Sequence, residues 1–290
     1  MQERPVVSVI VPVWNGEATI EDTIRSLLQQ SYPAAAVQII VVDNGSTDRT
    51  AEIIGRYPEV TLLREEKPGS YAARNTGLKI ATGTYVAFTD ADCMAHAAWL
   101  SSAIPLIEGD AQTGIVAGRI EVIPSEGGSQ RAYLIEKELS FKQHEAVKRG
   151  TCVTANWVSR TSVIRDAGGF DERVKSGGDY LLSSRLSGQG LRIVYAENAV
   201  VYHPSRGDVS ELLRKRRRVA GGAWARKDKS LYRLIRAEIA GCLRRLSAMA
   251  RAPGLRLGQK ISVMPLVVLM ATTSISELLR LSMGGDPRRA

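Results

Sequence analysis

Residues 6–15 read VVSVIVPVWN, an almost unbroken run of β-branched and apolar side chains that ends on a polar turn. A strand with one wet face alternates apolar and polar residues, whereas a continuous apolar run fits a strand covered on both faces, as in parallel sheets. The same pattern returns in QIIVVD (38–43), VTLLRE (60–65) and TYVAFTD (84–90). Each run is followed by a helical periodicity: TIEDTIRSLLQQ (19–30), the segment after Ser46-Thr47, SYAARNTGLKIA (70–81) and AAWLSSAIPLIE (97–108). This alternation predicts an α/β, Rossmann-like doubly wound sheet. Such sheets bind ligands beyond the carboxyl ends of their strands, where Trp14-Asn15-Gly16, Asp43-Asn44-Gly45-Ser46 and Asp90-Ala91-Asp92 fall.

Composition sets the outer bounds. A chain of 290 residues with 44% apolar side chains accommodates one large core and an extension. The three cysteines, Cys93, Cys152 and Cys242, are widely spaced and form no CxxC pair, so neither a disulfide framework nor a zinc site is expected. The opening MQERPVVSVI has no apolar leader pattern, which predicts a cytoplasmic protein. The net charge of +9 is concentrated late: residues 206–260 hold 16 Lys/Arg against 4 Asp/Glu, while residues 1–205 hold 20 against 24. Between them, residues 114–205 mix strands (GIVAGRIEVI, RIVYAENAVVYH), a helix expected over 132–147 and a glycine-punctuated stretch suited to a second substrate. The expected organisation is a nucleotide half (1–113), an acceptor half (114–205) and a basic helical tail (206–290).

Asp90 and Asp92 stand two residues apart at a strand end, where side chains i and i+2 share a side. Their repulsion favours a cation between or beside them, Mg²⁺ or Mn²⁺ with a diphosphate completing the shell; alternatively they cap the helix that follows. Asp43 either caps its own helix or accepts hydrogens from a nucleotide base, Ser46, Thr47 and Asp48 being available as caps. Arg74, in the first turns after Pro68-Gly69, suits a phosphate or acidic group or else faces solvent. In TCVTANWVSR, Asn156 and Trp157 either meet a sugar acceptor or pack in the core.

The segments VSVIVPVWN, VVDNGSTDRT, PGSYAARNTG, FTDADC, GGFDE and GGDYLLSSRL occur in the order and spacing of glycosyltransferase family 2. Residues 6–205 resemble that family of inverting, nucleotide-sugar-dependent enzymes with the GT-A fold. The resemblance implies that Pro12, Val13, Trp14 and Asn15 line the nucleotide pocket, that Asp43 contacts the base and that Arg74 lies near the nucleotide. Asp90, followed by Ala91 in the donor site, would hold the ribose or a metal-bound water. Asp92 would ligate Mn²⁺ or Mg²⁺, with Asp90 and His203 as further ligands, and Asp179 would be the general base. Two departures from the family pattern stand out. Val13-Trp14 replaces a Thr-Tyr pair, substituting an indole for hydroxyls near the base. Gly178 replaces a Glu on the acceptor side. The implied reaction moves a sugar from a UDP- or GDP-type donor to a hydroxyl of a glycan or lipid-linked acceptor in cell-surface polysaccharide or glycolipid synthesis. A sugar-1-phosphate nucleotidyltransferase would need a Gly-rich phosphate loop that VIVPVWNG lacks, and a noncatalytic nucleotide- or glycan-binding relative remains compatible with Gly178.

On a helical projection of 231–251, Leu231, Leu234, Ile235, Ile239, Leu243, Leu246 and Met249 share one side, with Arg233, Arg236, Arg244 and Arg251 opposite. With LRKRRR at 213–218, this reads either as an interfacial helix on anionic lipid or as a helix packed on the catalytic domain. Nucleic acid is not expected, since no aromatic-rich motif or known module accompanies the basic run. Residues 261–276, ISVMPLVVLMATTSIS, are uncharged but would span about 24 Å, short of a bilayer core of about 30 Å. Pro265 argues further for shallow rather than spanning contact. A peripheral location on the cytoplasmic face of a membrane is therefore expected.

Overall fold

A computed structural model describes residues 6–174, 176–225 and 230–286. Strand β1 (Val7–Val13) buries all seven of its residues, as its unbroken apolar run requires. Helix α1 (Ile20–Leu28) leads to β2 (Val37–Asp43), α2 (Thr50–Ile54) to β3 (Val60–Arg64), and α3 (Ser70–Ile80) to β4 (Tyr85–Phe88). β1 pairs in parallel with β2 on one side and β4 on the other, and β2 pairs in parallel with β3. The register Val13↔Asp43 brings the loops after β1 and β2 side by side.

The chain continues through β5 (Met94–Ala95), α4 (Trp99–Glu108), β6 (Thr113–Ile123), α5 (Gln130–Leu139), α6 (Gln143–Val147), β7 (Trp157–Arg160), α7 (Thr161–Asp166), α8 (Gly178–Gly188) and β8 (Arg192–Pro204). The strands form one sheet in the order β3-β2-β1-β4-β7-β6-β8-β5. The expected parallel pairing holds for the first four. β7 runs antiparallel to both β4 and β6, making the whole sheet mixed. The single helix expected over 132–147 is two, because Ser140 is extended (φ −100°, ψ 160°) and Phe141 follows at φ +52°, which together end the helical path.

Helix α3 sits against β1 through Gly77, where a Cβ would fall 2.6 Å from Ile10 Cγ2. No side chain fits there without displacing the helix.

By contacts, the chain divides into two units. One comprises the chain up to Glu121, Lys142–Glu172 and Gly178–His203; the other comprises Val122–Phe141, Arg173–Gly177 and everything from Pro204. The second unit has its own core. In it α5, α9 (Val209–Ala225), α10 (Leu231–Arg251) and α11 (Leu257–Ser282) bury Ala132, Ile135, Leu212, Met249, Val263 and Val267 together. Most of the α10 apolar face, for which lipid and protein packing stood as alternatives, is thus spent internally: Leu234 and Met249 are buried, and Leu231, Ile235 and Leu246 pack against buried clusters. Ile239 and Leu243 remain exposed. Helix α11 is longer than the apolar run it contains and buries one face while exposing Leu257, Ile261, Val268, Leu269 and Leu279 on the other.

Within this unit the Glu136 carboxylate, 1% exposed, pairs with the Arg206 guanidinium and accepts hydrogen bonds from Arg206 N–H at 2.9 Å and Lys215 Nζ at 3.1 Å. Burial alone would raise the Glu136 carboxyl; Lys215 and Arg206 outweigh it and hold it below the usual carboxylate range. Burial, followed by Arg206, pushes Lys215 down to about 8. Glu136→Gln is expected to destabilise the protein by about 2 kcal/mol or more in urea denaturation at neutral pH, because two cations lose their counter-charge. A lowered folded-state pKa contributes stability that is present above the unfolded value and lost as pH falls, so the gap between native and variant should close below about pH 4.

Candidate functional site

The loop after β1 places Trp14, 41% exposed, beside Asn15, which adopts φ +49°. Asn15 N–H donates to Ser46 Oγ and Asn15 Oδ1 accepts from Thr47 N–H, both at 2.9 Å, so the β1 and β2 loops are stitched together. Pro12 and Val13 lie buried beneath them. Asp43, 4% exposed, uses Oδ1 to accept from Ser46 N–H at 3.0 Å; one of its oxygens is engaged in shaping the loop. Asn44, which the sequence reading passed over, donates to the carbonyls of Glu65 and Lys67 and accepts from Gly69 N–H, fixing the entry to α3.

From α3 project three groups, of which the sequence reading singled out one. Arg74 is 3% exposed and donates through Nη2 to Asp90 Oδ1 at 2.5 Å. Its Nε is buried and has no hydrogen-bond partner among the described residues. Tyr71 O–H donates to Asp179 Oδ1 at 3.2 Å. Asn75 clasps Phe170, donating to its carbonyl and accepting from its N–H, both at 2.9 Å. Asn and Tyr beside an Arg on a helix carry little signal in sequence, since their partners lie about 95 and 108 residues away.

The two carboxylates after β4 take different nearest partners. The strand ends at Phe88, and Cys93 N–H donates back to Asp90 O at 3.1 Å, so residues 90–93 form a turn in which the strand rule for i and i+2 no longer applies. Asp90 turns to Arg74. Asp92 turns to His203, whose Nε2 lies 3.5 Å from Asp92 Oδ2, and to Cys93, whose Sγ is 3.7 Å from Asp92 Oδ1. Between the two acids, Ala91 is pinned by Thr23 Oγ1, which donates to its carbonyl at 2.9 Å. Partial burial pushes the Asp90 carboxyl up; Arg74 pulls it down and Asp92 adds to the rise.

Ligand atoms of Asp92, Cys93 and His203 lie within 4.8 Å of one another. Burial and the adjoining aspartates push the Cys93 thiol up, which leaves it a neutral, weak ligand. The effective donors are a carboxylate oxygen and an imidazole nitrogen, a set that fits Mn²⁺ or Mg²⁺ better than a thiophilic ion. Asp90 lies outside this group.

Asp179 stands in the first turn of α8, its Oδ1 accepting from Tyr71 O–H and from Tyr180 N–H at 2.9 Å. Gly178 lies against the Tyr71 ring. Of the two roles open to Asn156 and Trp157, acceptor contact and core packing, the structure selects the second: both are fully buried. Asn156 Oδ1 accepts from Trp99 Nε1 at 2.8 Å and its Nδ2 donates to the carbonyls of Arg119 and Ala199. Trp157 packs edge-on against Phe88 and Phe170 and donates to Ser159 Oγ. With every polar atom of these two side chains met inside the fold, they serve as core.

Residues 8–168 match the family model described as glycosyl transferase family 2, and residues 137–282 match that of glycosyl transferase family group 2. Over 226 residues the chain is 35% identical to glycosyltransferase AglE of Haloferax volcanii, covering 75% of this chain and 73% of that one. It is 32% identical over 226 residues to the pre-mycofactocin glycosyltransferase of Mycobacterium tuberculosis, of whose length it spans 46%. In fold it is similar to the mannosyltransferase PcManGT of Pyrobaculum calidifontis, solved with GDP-Man and Mn²⁺ (TM-score 0.65, 22% identity, 98% of this chain and 89% of that one). It is similar as well to TarS of S. aureus in complex with UDP-GlcNAc (TM-score 0.57, 20% identity, 98% and 93%).

Arg74→Met keeps the stem but removes the charge that faces Asp90. Thermal unfolding is expected to show a loss of about 2 kcal/mol, and Arg74→Met/Asp90→Asn together should cost less than the sum of the single changes.

Proposed function

The chain belongs to glycosyltransferase family 2, and from that premise we propose that it transfers a sugar, with inversion, from a nucleoside diphosphate donor to a hydroxyl of a glycan or lipid-linked acceptor. The observation that carries the reading is α3, which ties Arg74 to Asp90 on the donor side and Tyr71 to Asp179 on the other. The base stacks on Trp14 above Pro12 and Val13 with Asn15 at its edge, and Asp43 accepts its hydrogens. The orphaned Nε of Arg74 is satisfied by a phosphate oxygen, and Asp90 holds the ribose or a metal-bound water. The GDP-Man and UDP-GlcNAc complexes of the structural relatives support a GDP- or UDP-type donor.

Asp92 and His203 would hold Mn²⁺ or Mg²⁺, which supplies charge stabilisation to a departing diphosphate. Asp179 accepts the proton of the acceptor hydroxyl as the new oxygen–carbon bond forms. The bond from the anomeric carbon to the diphosphate breaks with its electron pair, and approach from the opposite face inverts the configuration.

In this reading residues 1–205 hold the catalytic apparatus, donor half to about 113 and acceptor half beyond, and the helices after residue 205 serve as the membrane contact. Their excess of basic residues suits an anionic cytoplasmic leaflet, and the outward Leu257, Ile261, Val268, Leu279 and Met283 side chains supply apolar area for shallow insertion. A lipid-linked acceptor would be met there. Helix α11 is long and apolar enough to cross a membrane, yet 39% of its most apolar stretch is buried within the protein, which favours lying on the surface.

A panel of UDP- and GDP-sugars with and without Mn²⁺ should yield one donor that raises the melting temperature only with metal, and Asp92→Asn should abolish that gain. With that donor, Asp179→Asn is expected to bind as tightly while turnover falls at least about a hundredfold. Unchanged turnover would remove Asp179 from its role, and binding without turnover in the unaltered chain would favour a noncatalytic receptor.

For the membrane, Leu257→Glu/Ile261→Glu is expected to leave the full-length protein in the supernatant of phosphatidylserine-containing liposomes that sediment the unaltered chain. Equal sedimentation of the two would exclude α11 as the contact.

A further inference from the structure

Tyr71 has no part in the chemistry given above, yet it is packed on several sides beside Asp179. Its ring is 7% exposed and stacks on Phe170 at 5.7 Å with a 22° interplanar angle. The Arg74 guanidinium lies 5.7 Å from its centroid. On its edge sits Gly178, where a Cβ would come within 2.8 Å of Cε2 and 2.9 Å of Cδ2 and Cζ. The ring at 71 therefore leaves no room for a side chain at 178. The ring cannot shift, and its O–H is left aimed at Asp179 Oδ1, 3.2 Å away.

That same oxygen accepts from Tyr180 N–H. Among the described residues both hydrogen bonds to the carboxylate end on Oδ1, so its other oxygen carries the open lone pairs. A carboxylate torsion is a broad, roughly two-fold rotor when nothing holds it. Burial, with the Asp179 charge, pushes the Tyr71 phenol up, so it remains a donor at any working pH.

We propose that Tyr71 is the positioning residue for the proton transfer: it locks the Asp179 carboxylate so that Oδ2 meets the acceptor hydroxyl, and Gly178 exists to make room for it. This rests on the reading of Asp179 as base. The acceptor proton passes to Oδ2 while the acceptor oxygen bonds to the anomeric carbon and the diphosphate leaves with the electron pair. Tyr71 itself exchanges no proton.

The test is Tyr71→Phe in the full chain, which keeps the ring and removes only the O–H. Nucleoside diphosphate release is followed with the UDP- or GDP-sugar selected by the thermal screen. Expected is a kcat lowered about ten- to a hundredfold, the value of one hydrogen bond to a charged group, with donor KM within about twofold of the unaltered chain. Tyr71→Phe/Asp179→Asn should be no slower than Asp179→Asn alone, since both act through one carboxylate. An unchanged kcat in Tyr71→Phe, alongside a collapse in Asp179→Asn, overturns this inference and leaves the base in place. Full turnover in Asp179→Asn overturns the base reading first. A purely structural Tyr71 would instead show kcat, donor KM and melting temperature moving together. The interlock is read without substrate: Gly178→Ala should lower the melting temperature, and adding Tyr71→Ala should recover part of the loss. Additive losses would dismiss it.

Discussion

The close approach of α3 to β1 is the constraint on which the site depends. Gly77 meets Ile10 with no space for a side chain, so the helix sits at one depth and one rotation over the sheet. From that seat Tyr71, Arg74 and Asn75 reach Asp179, Asp90 and Phe170 respectively. Three segments far apart in the chain are thereby indexed to a single helix. A shift of even half an ångström at Gly77 would be felt at all three, because packed interiors transmit displacement instead of absorbing it.

Electrostatics then separates two aspartates that sequence alone pairs. Asp90 and Asp92 are neighbours, and each raises the cost of the other's charge. The turn at 90–93 sets them against different partners: the guanidinium of Arg74 for one, the imidazole of His203 for the other. A buried arginine with an unmet Nε is costly unless a ligand completes it. The cost is tolerable where binding recovers it, which is the sense in which the proposed function uses Arg74.

Much of the catalytic unit was legible because its signals are local. Unbroken apolar runs announced the parallel strands, and loop polarity announced which sheet edge carries the chemistry. What stayed hidden was non-local. The antiparallel turn of the sheet at β7 depends on pairing with β4 and β6. The Phe141 break depends on a backbone angle that no helix propensity encodes. Asn156 and Trp157 looked like ligand-facing residues, since an amide and an indole serve either role; only the carbonyls of Arg119 and Ala199 and the hydroxyl of Ser159 decide for the interior. Gly178 read as the loss of an acceptor-side carboxylate, and its contact with the Tyr71 ring appears only in the folded chain.

The basic helices teach the same lesson about amphipathic patterns. A stripe of Leu, Ile and Met on α10 is equally suited to lipid and to a neighbouring helix, because the hydrophobic effect is indifferent to which apolar surface replaces water. The choice is made by supply: α5, α9 and α11 present enough apolar area to cover Leu234 and Met249, so the stripe closes a core. On α10 Ile239 and Leu243 stay uncovered, and on α11 the outward residues recur from Leu257 and Ile261 through Val268 to Leu279. A helix of 26 residues that buries one face and leaves the other apolar gains little from water on that side. Burying its exposed stripe, which runs the length of the helix, would therefore release free energy in proportion to the apolar area covered.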